Sequence, residues 1–190
     1  MRAQRPASLA PAIHGMAEEL PLDNQSVDAA MALVTVHQWS SLSKGLSELC
    51  RVTRGPIVIL TFDRDALDRY WLADYVPELI TVEYRRYPPL GTIRNGLRGT
   101  LQIHTVPIPI DCIDGFTEAF YARPERFLEP NVRRAQSAWG FVDKQVQEHF
   151  ARTLAEDLQS GAWDERYSEW RKKPFYEGSL RLIVSHPATD

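Results

Sequence analysis

The sequence predicts an α/β fold, and three observations predict it: a nearly unbroken apolar run from Val27 to Val36, a helix-spaced apolar set from Leu42 to Cys50, and a β-branched run from Ile57 to Phe62. Strand, helix and strand within about 35 residues is the size of one βαβ crossover. At 190 residues, 44% hydrophobic and 25% charged, residues 1–190 read as a single domain with room for a continuous core.

The first strand is expected within Ser26 to Val36, after the turn-like LDNQS, and its continuous apolar character calls for burial. Leu42, Leu46, Leu49 and Cys50 then fall on one face of a short amphipathic helix, which Thr53-Arg54-Gly55-Pro56 stops. Ile57 to Phe62, IVILTF, wants burial on both faces. Leu67, Tyr70, Trp71 and Tyr75 keep helical spacing until Pro77. Leu101 to Ile110 reads as a strand finishing at Pro107 and Pro109, which cannot donate to a ladder. Val142, Val146, Phe150, Leu154 and Leu158 recur every four residues and predict the longest helix, and Leu180 to Val184 a closing strand. The glycines of GTIRNGLRG (Gly91, Gly96, Gly99) follow no buried strand and read as a turn.

Composition excludes several classes. The net charge of −3 comes from 22 basic and 25 acidic residues spread along the chain, so no basic patch invites nucleic acid. Cys50 and Cys112 stand apart with no CxxC partner, and His104, His149 and His186 have no metal-ligand spacing, so neither a disulfide framework nor a metal site is expected. The apolar runs are too short for a membrane span, and the N-terminal segment lacks the apolar stretch of a signal peptide. A reducing cytoplasm fits best.

One ordered set of residues suggests more. Gly15, Ala17, Glu18, Leu20 and Pro21 spell G-x-A-E-x-L-P; Ser26, Val27 and Asp28 follow, then His37 after the strand, Glu48, Arg51 and Val52 at the helix end, and Gly55 in the turn. In this order the set resembles the middle of the class I S-adenosylmethionine-dependent methyltransferases, of the type 11-like group. YWLADYVPE, residues 70–78, also looks like the substrate-side region of such enzymes. The resemblance implies a Rossmann-like sheet with helices on both faces, in strand order 3-2-1-4-5-7-6. In that pattern a glycine-rich turn and a second-strand acid lie several tens of residues before the counterpart of Gly15, where this sequence has 14. The expected fold is therefore a truncated methyltransferase sheet with its first two strands missing, Ala12 to His14 set apart from it, and the strand from Asp28 left as an exposed edge.

The resemblance also implies a cofactor, S-adenosylmethionine, whose methyl passes to a nucleophile in line with the departing sulfur; such catalysis rests on proximity and orientation. By resemblance, the backbone of Ala17 meets the adenine edge and Glu18 accepts from its exocyclic amine, although many members carry aspartate where Met16 stands. Two solvated charges before a turn is the alternative reading of Glu18 and Glu19. Ala32 and Leu33 lie near the strand's carboxyl end, where open α/β sheets bind ligands, or are plain core. His37 borders either the cofactor's methionine part or the acceptor, with a structural hydrogen-bonding role and a general-base role both open. Trp39, Trp71, Tyr75 and Trp139 are the candidates for an aromatic acceptor pocket, or else core.

The expected function is methyl transfer to a small-molecule acceptor. The alternatives are a non-catalytic interaction or assembly protein derived from the same fold, and an unrelated α/β binding module. An apolar strand edge would invite a homodimer or a partner chain.

Overall fold

In the computed structural model, which describes residue 6 and residues 8–187, β1 (Ala30–Leu33) and β2 (Ile57–Phe62) run parallel and are joined through α1 (Leu42–Val52), as the βαβ reading requires. After β2 come a 3-10 segment (Arg64–Arg69), α2 (Leu72–Tyr75), α3 (Pro77–Arg86) and α4 (Leu90–Gly96). The chain continues through β3 (Thr100–Thr105), β4 (Ile108–Pro109), short 3-10 turns, α5 (Pro130–Ala135), α6 (Lys144–Ser160), α7 (Ala162–Lys172), β5 (Phe175–Tyr176) and β6 (Leu180–His186). Four strands form the main sheet in the order β1-β2-β6-β3, with β6 antiparallel to both neighbours. This is the order that strands four, five, seven and six take in the implied methyltransferase sheet.

The pleat of the central strands sends alternate side chains to two apolar clusters. On one face, Ile57 and Ile59 of β2 and Ile183 of β6 pack with Leu46, Leu49 and Cys50 of α1 and Ile93 of α4. On the other, Phe62 and Leu180 join a larger, aromatic cluster that includes Trp71, Phe127, Trp139, Phe150 and Trp163. A helix of α1's 11 residues is marginal alone, so its burial, at roughly 1.5–3 kcal/mol per large apolar side chain, holds it in place.

The residues of the sequence signature have structural work in this frame. The Arg51 guanidinium donates to both Glu48 carboxylate oxygens and to the carbonyls of Leu20 and Leu22, while Leu20 N–H donates to Glu48 Oε2. This clamp ties the segment before β1 to the end of α1. Gly55 lets the chain turn under Asp28: a Cβ there would sit 2.2 Å from the Asp28 carbonyl oxygen.

Four expectations are corrected. The first strand spans only Ala30–Leu33 and not Ser26 to Val36, because Val34 takes φ 48°, a left-handed conformation that ends the strand, and Val36–Gln38 then wind into a 3-10 turn. Leu67 to Tyr75 is not one helix but a 3-10 segment followed by α2, which does stop before Pro77; Pro77 itself opens α3, where its missing N–H costs nothing and its fixed φ suits the helix. Residues 101–110 form two strands because Pro107 interrupts the ladder. GTIRNGLRG is mostly α4, with a positive φ only at Gly99.

β1 pairs on one side only among the described residues, and Met31 and Leu33 are 70% and 54% exposed. Residues 12–14 are irregular and exposed. Among the described residues no helix is long and apolar enough to cross a membrane, and no group of three or more His, Cys, Asp or Glu is placed to hold a metal ion.

Candidate functional site

The carboxyl ends of β1 and β2 open onto two recesses, and Gln38 lines both. The first is an open cleft walled by the turn from Gly15 to Glu18, by Leu20 to Leu22, and by Thr35, Trp39 and Ser40. Met16 and Glu19 form an isolated bridge with Glu19 N–H donating to the Met16 carbonyl. Inside that turn the Ala17 N–H has no hydrogen-bond partner among the described residues. An apolar cleft with a free backbone donor fits the flat edge of an adenine. Glu18 lines the same cleft, and its Oε1 accepts from Ser41 N–H at 3.0 Å and Ser40 Oγ at 2.9 Å. These bonds, chiefly the Ser41 N–H at the head of α1, hold the carboxyl below its ordinary range.

The second recess is a cavity of about 180 Å³ under Val34, His37, Phe62 and Tyr87, floored by Glu118 and Gln136. His37 Nδ1 is buried without a partner, and its ring packs 4.7 Å from that of Tyr87. Burial first, and the nearby Arg86 second, hold His37 down to about 4, so the imidazole is neutral near pH 7. Glu118, 3% exposed, accepts the Ser179 N–H on both oxygens, yet burial still pushes it up to about 7. Glu83, 9% exposed, is likewise pushed up by burial to about 7, with Arg86 at 3.6 Å offsetting part of that shift. Val34, the left-handed residue at the end of β1, lines this cavity; backbone strain of that kind gathers at functional sites.

The sequence-expected residues therefore divide. Ala17, Glu18 and Trp39 meet at the open cleft, and His37 lines the cavity beside it. Ala32 is 4% exposed in the α1-side core, and Leu33 lies on the outer edge of the sheet. Trp71 is 2% exposed and donates its Nε1–H to the Tyr121 carbonyl at 2.9 Å. Tyr75 donates its hydroxyl to Asp157 at 2.6 Å. Trp139, 2% exposed, stands behind the cavity wall, donating to Gln136 Oε1. None of these last five lines either recess. Sequence reasoning missed Glu83, Tyr87, Glu118 and Gln136. Only Glu83 left a signal: Leu79, Glu83 and Tyr87 fall four apart, an acid on an apolar helix face.

The order of the sheet, with two recesses at its carboxyl ends, is that of part of a Rossmann-like methyltransferase sheet, and the comparisons give the family. The family model of the methyltransferase domain matches residues 1–56. A crystal structure described as a methyltransferase from an antibiotic biosynthesis pathway of Anabaena variabilis is 30% identical, with 91% of this chain and 72% of that chain covered at a TM-score of 0.84. The chain belongs to the class I S-adenosylmethionine-dependent methyltransferase family. The YcgJ protein from Bacillus subtilis (16% identity, 93% and 70% covered, TM-score 0.45) and a Bacillus halodurans protein described as a methyltransferase (13%, 93% and 78%, 0.41) are more distant, and the assignment does not rest on them. No match was found among curated proteins.

Proposed function

We propose that the protein transfers a methyl group from S-adenosylmethionine to a small molecule held in the cavity beside the cofactor cleft. The observation that carries this reading is the adjacency of the two recesses, which share Gln38 where the chain leaves β1. When bound, the cofactor supplies an activated methyl group. In this reading the Ala17 N–H meets the adenine edge, Met16 and Leu20 cover its face, and Trp39 closes the cleft. Glu18 fixes the start of α1 through Ser40 and Ser41 and so holds the cleft wall in place. His37 lines the acceptor cavity beside the shared Gln38, and its buried imidazole, held well below its ordinary range, stays neutral and suits positioning the acceptor better than taking its proton. The apolar walls exclude water, and the acceptor is oriented by contact with Phe62 and Tyr87. The reading takes residues 1–190 as one domain working in a reducing cytoplasm, supported by the seating of β6 between β2 and β3 and by two free cysteines.

Calorimetric titration with S-adenosylmethionine, together with the amide spectrum of the Met16–Glu19 turn, is the test. Heat of binding and a shifted Ala17 amide are expected; no heat and no shift at millimolar cofactor would leave the non-catalytic interaction protein as the better reading.

We also propose that the outer edge of β1 pairs with another chain, a second copy or a partner, because Met31 and Leu33 project from a strand with one open side. Sedimentation is expected to give a dimer, or a complex with the partner; a stable monomer at tens of micromolar that takes no partner would count against it.

A further inference from the structure

We infer that the acceptor cavity is built for a compact, ring-bearing amine, its ammonium held between Glu83, Glu118 and aromatic faces. The inference rests on the proposed methyl transfer for its biological meaning and on the cavity alone for its chemistry.

Two carboxyl groups line the 180 Å³ space, and no Lys or Arg lines it among the described residues. Arg86 stands 3.6 Å from Glu83 Oε2 and donates to Ser137 of the cavity wall, so it offsets the acid in part without itself lining the cavity. Glu118 spends its two backbone hydrogen bonds on one donor, the Ser179 N–H. Phe62, Tyr70, Tyr87 and Phe116 supply the walls, with Phe62 lying 5.1 Å from Tyr87 and 5.5 Å from Phe116 between ring centroids. Carboxylates with aromatic faces are the groups that recognise an ammonium; an anion would meet like charge, and a molecule with no donor would leave the buried Glu83 Oε2 without a hydrogen bond.

Gln136 gives an independent observation. It is 7% exposed, and its Oε1 accepts from Thr117 Oγ at 2.8 Å and from Trp139 Nε1–H at 3.2 Å. An indole N–H only donates, so the amide orientation is fixed and Nε2 is left as a buried donor without a partner. A ligand oxygen distant from the ammonium would satisfy it. For size, a dry cavity of about 150 Å³ takes benzene, so one ring with a short arm suits this one.

Tyramine, its alcohol counterpart tyrosol and its acid counterpart hydroxyphenylacetate share one skeleton and differ in charge. Calorimetry at neutral pH without cofactor is expected to rank tyramine first, at least about tenfold tighter than tyrosol, with the acid last. Glu83→Gln should lower tyramine affinity by about tenfold and leave tyrosol unchanged. Tyrosol binding as tightly as tyramine, the acid binding tightest, no binding by any of the three at millimolar concentration, or an unchanged ratio in the variant would each overturn the inference. The wild-type ranking stands without the variant should Glu83→Gln fold poorly. A failed cofactor titration removes methyl transfer without altering this ranking, and a failed ranking removes the amine without altering cofactor binding.

Discussion

Glu83→Gln is expected to make the protein more stable at pH 8, by about 3 kcal/mol, although it removes a charged residue that has an arginine beside it. The cause is burial. Glu83 is 9% exposed, and its folded-state value of about 7 lies above the ordinary 4.5. The folded chain therefore keeps a proton that the unfolded chain releases, and stability falls as pH rises from 4.5 through 7. Glu118 acts in the same direction across the same window, also through burial. His37 acts in the opposite one: with its folded value near 4 against 6.5, its contribution is complete above 6.5 and is lost as pH falls towards 4. Two acids outweigh one histidine, so the wild type should be less stable at pH 8 than at pH 5. The variant should show roughly half the acids' share of that loss. Thermal unfolding of both proteins at the two pH values measures this. A variant less stable than wild type at pH 8 would mean that the Arg86 pairing outweighs burial, and that Glu83 is an ordinary ion-pair residue.

Trp71→Ala is expected to cost about 3–5 kcal/mol of stability. Trp71 is 2% exposed, and its ring meets Trp163 edge-on at 5.4 Å and Phe127 at 5.8 Å. Truncation would leave a void among aromatic neighbours and strip the buried Tyr121 carbonyl of its 2.9 Å donor. An acceptor-binding role predicts another outcome: weaker tyramine binding with stability changed by less than about 1 kcal/mol. Urea unfolding alongside the tyramine titration separates the two, because a core residue moves the unfolding midpoint and a pocket residue moves the affinity.

The sequence revealed the scaffold better than the chemistry, for physical reasons visible in single residues. The run around Ile59 and the spacing of Leu42, Leu46 and Leu49 record burial, which repeats along the chain with the period of the element. The apolar run around Leu33 instead marks a strand whose Met31 and Leu33 lie exposed at the sheet edge. Glu48, Arg51 and Gly55 were legible because the end of α1 and the turn after it need those residues at those places: the clamp on the Leu20 and Leu22 carbonyls, and the close approach of Gly55 to Asp28. Val34 was not legible. A β-branched residue is among the least expected to take a positive φ, and only its tertiary setting holds it there. Glu118 and Gln136 sit in or beside short 3-10 turns, whose i to i+3 spacing lasts too briefly to mark an inward acid or amide as unusual. The four aromatic candidates were chosen by residue type, and type cannot separate a wall from a core. Trp39 reaches a recess, while Trp71, Tyr75 and Trp139 serve the packing behind it.

The seating of β6 has a consequence for how the molecule is made. β2 and β3 are not neighbours; each pairs with β6, the last of the strands among the described residues. During synthesis β2 emerges early and waits with an open, apolar side while α2 through α7 follow it from the ribosome. The four-stranded sheet can close only when β6 slides into the gap, a late, long-range event of the kind that makes folding slow and leaves intermediates sticky. Loss of the Leu180–His186 segment would therefore do more than shorten an edge. It would split the sheet into two pieces with no ladder between them.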